Sequence, residues 1–123
     1  MERILVVDDN IDVCSVLKEF LTLCKYEVLI AHEGAAGLDQ LKKTKPHAIL
    51  LDMNMPGMEG IEVLKEIEKI DSQIPVIMLT GDRDPDQARE IMELGAYDYI
   101  AKPVDFNYLR NVLLTILVES RIQ

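Results

Sequence analysis

Five short apolar segments alternate along the chain with segments whose apolar residues recur every three or four positions. The short segments are nearly continuous runs rich in Ile, Leu and Val, a pattern typical of parallel strands that are buried on both faces. The longer segments have the spacing of amphipathic helices, which place one apolar stripe against a core. We therefore predict five strands, at residues 3–7, 26–31, 48–51, 75–80 and 97–101.

The first predicted helix has the clearest apolar stripe of the five, with the i, i+3, i+4, i+7 spacing of a single buried face. The second, at residues 33–43, is a weaker prediction because Gly34 and Gly37 lower its helix propensity. The third follows a loop at residues 53–58. The stripe of the first helix comprises Val13, Val16, Leu17, Phe20, Leu21 and Cys24, and that of the third comprises Ile61, Leu64 and Ile67.

The last two helices have recognisable ends. Asp84 and Pro85 combine an N-cap side chain with a proline at the first helical position. Gly95 ends this fourth helix, because glycine readily adopts the left-handed conformation of a C-terminal cap. Asp105 is placed to cap the fifth helix, which is predicted to run over residues 106–119.

The strict alternation of strands and helices predicts an α/β fold, with a parallel sheet, right-handed crossovers and helices on both faces. The chain of 123 residues has no internal repeat and no linker-like segment, so we interpret it as one domain, residues 1–123. In sheets of this class, ligands bind at the carboxyl ends of the strands, near the point where the strand order reverses. Polar residues at those ends are therefore the candidates for chemistry.

Charge and composition argue against several kinds of partner. The net charge is −9 and no cluster of Lys and Arg is present, which argues against direct binding of nucleic acid. No apolar run reaches the ~20 residues of a membrane span. The first predicted strand begins at residue 3, so we expect no secretion signal, and the two cysteines are interpreted as small apolar residues in a reducing compartment. We expect a cytoplasmic protein.

Polar residues follow four of the five predicted strands. Asp8 and Asp9 follow the first strand, Asp52 the third, Thr80 ends the fourth, and Lys102 follows the fifth. Taken alone, Asp52 would most simply cap the turn that follows it. The accumulation of all five residues at one edge favours a functional site instead. If the strand order is 2-1-3-4-5, the first and third strands are neighbours and the three aspartates converge.

Three carboxylates in one cleft repel each other and raise the pKa of at least one of them unless a cation is bound. Mg²⁺ fits best, because it binds oxygen ligands through one or two carboxylates and keeps waters that a phosphate oxygen can replace. Lys102 adds a compact positive charge, Thr80 a hydroxyl donor, and Gly81 leaves room for a tetrahedral group. This combination is suited to phosphoryl transfer, with an aspartate as nucleophile.

Three segments, together with Thr80, resemble the receiver domain of bacterial two-component response regulators, and the resemblance covers the whole chain. The family fold is flavodoxin-like, with five (βα) units and strand order 2-1-3-4-5. The segments are Val-Asp-Asp at 7–9, Leu-Asp-Met-Asn-Met-Pro-Gly-Met-Glu-Gly at 51–60, and Gly-Ala-Tyr-Asp-Tyr-Ile-Ala-Lys-Pro at 95–103.

The resemblance implies that Asp52 accepts a phosphoryl group from a histidine kinase or phosphotransfer protein. It implies that Asp9, Asp52 and the backbone carbonyl of Asn54 bind Mg²⁺ directly, and that Asp8 acts largely through a bound water. Lys102 is implied to pair with Asp52 and then with the phosphoryl oxygens. The peptide bond between Lys102 and the following proline is expected to be cis, which X-Pro bonds adopt at modest cost.

Further roles follow from the same resemblance. Thr80 and Tyr99 correspond to the switch pair of the family, in which the threonine hydroxyl moves toward the phosphoryl group and the aromatic ring turns inward. The output face is expected to comprise the fourth helix, the fifth strand and the fifth helix. Asn54 and Asp82 correspond to positions that influence how fast the phosphoryl group is hydrolysed, and we hypothesise that they set the lifetime of the signal.

The fifth helix has more apolar residues than one buried face requires. Its inward stripe is predicted at Leu109, Val112, Leu113, Ile116 and Leu117, while Leu114, Val118 and Ile122 point roughly the other way. These three residues are either scattered surface residues or a contact for a homodimer or an output domain. The second interpretation makes Leu114 and Val118 targets for mutation.

The principal alternative function is an enzyme. Aspartate-nucleophile phosphatases of the haloacid dehalogenase type also use Mg²⁺ and an aspartyl phosphate, but they place the nucleophile after the first strand in an Asp-x-Asp-x-Thr pattern. Here the nucleophile candidate, Asp52, follows the third strand, and the second acid is missing. We therefore predict a non-enzymatic receiver that catalyses only its own phosphorylation and dephosphorylation.

Overall fold

A computed structural model of the chain describes residues 1–81 and 84–122, with only the backbone for 119–122. Strands and helices alternate in the predicted order, and each predicted element is present with ends shifted by at most a few residues. The elements are β1 Arg3–Val7, α1 Ile11–Leu23, β2 Glu27–Ala31, α2 Gly34–Thr44, β3 Ala48–Asp52, α3 Gly60–Ile70, β4 Val76–Thr80, α4 Pro85–Glu93, β5 Asp98–Ala101 and α5 Phe106–Ile122.

The five strands form one parallel sheet in the order β2-β1-β3-β4-β5, which confirms the predicted fold class and topology. The strand order reverses at β1, which pairs with β2 on one side and β3 on the other. In the register, Val7 pairs with Leu51, and Asp52 pairs with Leu79. The ends of β1, β3 and β4 therefore lie side by side at the carboxyl edge of the sheet.

Helices cover both faces of the sheet and divide the core into two layers. On one face, α1 and α5 pack through residues such as Leu17, Leu21, Leu109 and Leu113. On the other face, α2, α3 and α4 supply the covering residues, among them Leu64 of α3. Every residue of β3 and β4 is buried, which explains why these strands are almost continuously apolar up to the polar residue that ends each of them.

The predicted stripe of α1 is wrong at one position. Val16 is 50% exposed, whereas Cys14, Leu17 and Leu21 are the buried residues of this helix. The helix is rotated so that positions i, i+3 and i+7 counted from Cys14 face the core. The cause is tertiary, because Cys14 packs beneath the end of β1, where its thiol reaches the Asp8 backbone carbonyl.

The glycines that weakened the prediction of α2 instead permit close packing of that helix. A Cβ atom at Gly37 would lie 2.8 Å from Cγ2 of Val7, and one at Gly34 would lie 2.7 Å from Cγ2 of Val63. The helix thus approaches β1 and α3 more closely than any other residue at these positions would allow. Their low helix propensity is outweighed by the apolar packing of Leu41 and its neighbours.

The predicted helix ends are confirmed. Asp84 caps α4 by accepting from the Asp86 amide at 3.0 Å, Pro85 occupies the first turn, and Gly95 has a φ of +113° after the helix. Asp105 accepts from the Tyr108 amide at 3.1 Å and so caps α5. Helix α5 continues to Ile122, three residues beyond its predicted end. Within the described chain, no helix is both long and apolar enough to cross a membrane.

Candidate acidic site at the carboxyl edge of the sheet

Three aspartates meet where β1 and β3 end, as the strand-end pattern predicted. Asp8 follows β1, Asp52 is the last residue of β3, and one carboxylate oxygen from each of Asp8, Asp9 and Asp52 lies within 4.8 Å of the other two. Asp8 is completely buried and Asp52 is 4% exposed, whereas Asp9 is exposed to solvent. The cluster therefore has a buried floor of two carboxylates and a third at its entrance.

Lys102, at the carboxyl end of the edge strand β5, contacts both buried carboxylates. Its Nζ lies 3.0 Å from Oδ2 of Asp8 and 3.1 Å from Oδ1 of Asp52. The residue follows β5, and its backbone amide donates to the carbonyl of Thr80 at 2.7 Å. The predicted cis peptide bond between Lys102 and Pro103 is confirmed. One ammonium group, itself 24% exposed, thus bridges two buried carboxylates.

Backbone groups hold the two buried aspartates in place. The amide of Asn10 donates to Oδ1 of Asp8 at 2.9 Å, and the amide of Asn54 donates to Oδ1 of Asp52 at 3.3 Å. Each aspartate therefore forms a local turn that fixes the orientation of its carboxylate. Asn54 is itself exposed, and the role of its backbone carbonyl as a metal ligand stays a prediction.

Gly60 also supports the site, and sequence analysis did not single it out. Its amide donates to the carbonyl of Met53 at 2.9 Å. A Cβ atom at this position would lie 2.4 Å from the backbone oxygen of Asp52 and 2.7 Å from Cα of Met53. The start of α3 therefore packs directly against the backbone of the candidate nucleophile, and only glycine permits this contact.

The electrostatics of the pocket are dominated by burial. Burial and the negative charge of Asp8 raise the pKa of Asp52 to about 6, and the opposing contribution of Lys102 does not cancel them. Burial alone would lower the pKa of Lys102, but its hydrogen bonds to Asp8 and Asp52 outweigh burial and raise that pKa. At neutral pH the pocket therefore holds three carboxylates against one ammonium group, an excess of negative charge that favours a bound cation.

The donor set fits the predicted Mg²⁺. All three side chains offer carboxylate oxygens, which are hard ligands, and the exposed position of Asp9 leaves room for water in the coordination shell. A bound cation would also oppose the raised pKa of Asp52, because it favours the charged form of the carboxylate. The residues at this edge can therefore hold a divalent cation beside the Asp52 carboxylate, whose pKa of about 6 lies close to neutral pH.

The predicted switch residues lie at the end of β4 and within β5. Thr80 is the last residue of β4 and is buried, and a Cβ atom on the adjacent Gly81 would meet no atom of the described residues within 4 Å. The room for a tetrahedral group at Gly81 stays a prediction, with which this open space is compatible. Tyr99 lies on β5 and is 41% exposed, so its ring is in the outward position. Asp82, the predicted partner of Asn54 in setting the lifetime, lies outside the described residues.

Two further side chains lie beneath the cluster and were missed as site residues. The Sγ of Cys14 and Nδ1 of His32 each lie 3.2 Å from the backbone oxygen of Asp8. His32 directly follows β2, the one strand whose carboxyl end the sequence analysis did not consider. The strand-end argument, extended to β2, would have found it. Cys14 has no such signal, because its inward orientation depends on the rotation of α1.

Comparison with known proteins identifies the family. The family model described as the response regulator receiver domain matches residues 4–114. Sporulation initiation phosphotransferase F of Bacillus subtilis is 39% identical over 112 residues, which cover 91% of this chain and 90% of that protein. This chain therefore belongs to the response regulator receiver domain family.

Other relatives are longer, and solved structures support the same assignment. The transcriptional regulatory protein ZraR of Klebsiella oxytoca is 38% identical over 119 residues, which cover 97% of this chain but 27% of ZraR. The crystal structure of a response regulator receiver domain protein from Clostridium thermocellum superimposes with a TM-score of 0.94 at 31% identity, covering 99% of this chain and 98% of that one. These matches favour the receiver over the phosphatase interpretation.

Proposed function

We propose that this receiver accepts a phosphoryl group on Asp52, with Mg²⁺ bound directly by Asp9, Asp52 and the backbone carbonyl of Asn54, and by Asp8 largely through a water. The observation that carries the proposal is the convergence of the buried Asp8 and Asp52 on Lys102, at 3.0 and 3.1 Å from its Nζ. The phosphoryl donor is the phosphohistidine of a kinase or phosphotransfer protein. The two free cysteines suit the reducing cytoplasm in which such donors act.

Asp52 is proposed as the nucleophile because it ends β3, is 4% exposed and so less deeply buried than Asp8, and contacts Lys102. A carboxylate oxygen attacks phosphorus, a P–O bond forms, and the P–N bond to the donor histidine breaks. The leaving imidazole nitrogen takes a proton from solvent. With a pKa of about 6, Asp52 is largely ionised at pH 7 and so available for attack. Bound Mg²⁺ would supply positive charge to the phosphoryl oxygens.

Lys102 stabilises the transferred group through its compact charge. In the free domain its Nζ is shared between two carboxylates, so it is already held at the position where phosphoryl oxygens arrive. Phosphorylation adds roughly −1.5 to −2 charge and three acceptor oxygens. The state in which Thr80 and Lys102 contact those oxygens is thereby favoured, and the outward Tyr99 turns inward behind Thr80.

The shift between the inactive and active states changes the face formed by α4, β5 and α5, which is the proposed contact surface for the output. Leu114 and Val118 on α5 are each 46% exposed, as their predicted outward direction required, while the Ile122 side chain lies outside the described part of the structure. We propose that this face contacts an output domain or a second copy of the chain. Changing Leu114→Glu together with Val118→Glu should reduce self-association of the phosphorylated form in sedimentation. A monomer before and after the change would reject the dimer.

Asn54 and Asp82 are proposed to control the water that hydrolyses the aspartyl phosphate. The backbone amide of Asn54 donates to Oδ1 of Asp52, so Asn54 lies beside the reactive carboxylate. Unlike Asp52, it is exposed to solvent. Exchanging the two side chains should change the rate of phosphate release and leave Mg²⁺ affinity nearly intact. An unchanged release rate would contradict this role.

The central test is incubation with Mg²⁺ and acetyl phosphate or beryllium fluoride, followed by mass spectrometry and NMR. One equivalent of phosphoryl group should be found on the wild-type chain, and Asp52→Asn should abolish it. Asp39→Asn is a matched control, because Asp39 is 62% exposed and pairs with Lys43 on the surface of α2. Multiple turnover of a small phosphoester, with no stoichiometric modification, would favour the phosphatase instead.

A further inference from the structure

The backbone carbonyl of Asp8 lies where the pairing of β1 with β2 ends. Up to this point the parallel ladder is regular: the Glu27 amide donates to the Glu2 carbonyl at 2.9 Å, and the Asp8 amide donates to the Ala31 carbonyl at 3.0 Å. The next bond in the series would run from the amide of Glu33 to the carbonyl of Asp8. It is not formed, because Glu33 has turned away to become the N-cap of α2.

Two side chains take the place of the missing backbone donor. The Sγ of Cys14 and Nδ1 of His32 both lie 3.2 Å from the Asp8 oxygen, and they lie 3.8 Å from each other. A carbonyl oxygen has two lone pairs and can accept both bonds. Among the described residues, no backbone amide donates to this oxygen.

The protonation states suit two donors. Burial and the negative charge of Asp8 raise the pKa of the Cys14 thiol to about 11, so the sulfur keeps its proton at neutral pH. The Asp8 carbonyl oxygen can only accept, so His32 must carry a proton on Nδ1 to form this bond. One of the two neutral tautomers of histidine carries that proton. Neither residue needs to change its charge in order to hold the carbonyl.

The carbonyl of Asp8 belongs to the same peptide unit as the amide of Asp9. That single planar unit joins two of the three residues whose carboxylates form the cluster. Rotation of this peptide would move both carboxylates together. The hydrogen bonds from Cys14 and His32 to the Asp8 carbonyl oxygen therefore restrict the geometry of the whole acidic site.

We propose that His32 and Cys14 are positioning residues that hold the peptide joining Asp8 and Asp9, and so set the Mg²⁺ affinity of the receiver. This inference rests on the proposed function, because it takes the aspartate cluster to be the Mg²⁺ site. Neither side chain contacts the ion or the phosphoryl group. Their effect is transmitted through the carbonyl of Asp8, and it depends on donation of a hydrogen bond and not on charge.

The test is calorimetric titration of the intact chain with Mg²⁺, using variants that remove or retain the donor. His32→Ala and Cys14→Ala should each weaken Mg²⁺ binding by about three- to tenfold, the size expected for loss of one hydrogen bond. His32→Asn should restore much of the affinity, because its amide nitrogen, like Nδ1, is bonded to Cγ. Cys14→Ser likewise keeps a donor.

The chain has its own matched controls. His47 is the other histidine and accepts from the Arg3 amide at 2.9 Å, at the opposite edge of the sheet. Cys24 is the other cysteine and lies at the far end of α1. His47→Ala and Cys24→Ala should leave the Mg²⁺ dissociation constant within about twofold of the wild type. The exposed His32 is the safer variant, because its loss leaves no buried cavity.

A second readout does not need the ion. In metal-free protein, His32→Ala should shift the NMR resonance of the Asp9 amide, because that amide shares its peptide unit with the carbonyl that loses a donor, while His47→Ala should not. Equal Mg²⁺ affinity in His32→Ala, His47→Ala and wild type, with an unchanged Asp9 amide, would overturn the positioning role alone. Failure of the wild type to bind Mg²⁺ would overturn the proposed function, and this inference with it.

Discussion

The two ends of the sheet carry ion pairs of almost equal length that behave differently. At the amino edge, Arg3 Nε lies 2.9 Å from Oε2 of Glu27, with side chains 37% and 44% exposed. At the carboxyl edge, Lys102 Nζ lies 3.0 Å from Asp8 and 3.1 Å from Asp52, whose side chains are almost fully buried. Distance therefore does not distinguish the structural pair from the candidate site, whereas burial does.

Burial changes what a charge pair can do. Water screens the Arg3–Glu27 pair, so its contribution to folding is expected to be small. At the carboxyl edge the carboxylates outnumber the cation in a medium of low dielectric, and the pKa of Asp52 rises to about 6. The free energy lost by burying this charge favours binding of a cation, because a cation offsets the excess negative charge.

The largest effect is expected from Lys102→Met. Removing the ammonium leaves Asp8 and Asp52 buried without a cation, so the unfolding free energy at pH 7 without Mg²⁺ should fall by about 3 kcal/mol. The rate of Asp52 phosphorylation should fall by about 100-fold or more. Arg3→Met at the amino edge is the control. Similar losses in both variants, measured by urea unfolding and acetyl phosphate uptake, would remove the distinction.

The pH dependence of stability should come next in size. The folded pKa of Asp52, about 6, lies above its ordinary value of 3.8, so the folded chain holds more protons than the unfolded chain between these values. Without Mg²⁺, the wild type should therefore lose about 2 kcal/mol of stability as pH rises from about 4 to about 6, relative to Asp52→Asn. Urea titrations at several pH values would measure this difference. Parallel profiles for the two proteins would contradict it.

Asp8→Asn should have a smaller effect and the opposite sign. It removes a buried negative charge beside Asp52, so the pKa of Asp52 should fall and the metal-free protein should gain about 1 kcal/mol. Mg²⁺ affinity should fall by about tenfold, because one of the three acidic groups is lost. Unfolding with and without Mg²⁺ separates these effects. A loss of stability in the metal-free variant would argue that the Lys102–Asp8 bond dominates the repulsion.

The smallest effect is expected at the amino edge. Glu27→Gln removes the carboxylate that accepts from Arg3, and the unfolding free energy should change by less than about 0.5 kcal/mol. Mg²⁺ affinity and phosphorylation rate should not change. A change above about 1 kcal/mol, or an effect on Mg²⁺ binding, would show that charge at this edge is coupled to the site.

Local patterns were sufficient to predict the order of elements, the helix caps and the residues at the strand ends. A run of apolar residues predicts a buried strand wherever that strand lies in the sheet, and Asp84, Pro85 and Gly95 act within one turn of the helix they begin or end. The strand-end argument therefore found Asp8, Asp52 and the other members of the cluster. The topology was predicted from the resemblance to the receiver family, and that resemblance rests on three sequence segments and Thr80.

Other features depended on contacts between segments far apart in the chain. Lys102 and Asp8 are 94 residues apart, and their 3.0 Å contact exists only because β5 and β1 end at the same edge. The spacing of apolar residues does not predict the rotation of α1 that buries Cys14 and exposes Val16. Nor does it predict that Gly60 packs on the backbone of Asp52.

The sequence by itself determined which chemical groups arrive at the carboxyl edge, because alternation and burial of strands are set by neighbouring residues. Only the tertiary structure decided their charge state and their supports. The pKa of Asp52 depends on how deeply Asp8 and Asp52 are buried together, and the hold on the Asp8 carbonyl depends on side chains from α1 and from the residue after β2. Desolvation and hydrogen bonding are properties of the packed molecule, since each arises from what surrounds a group in space.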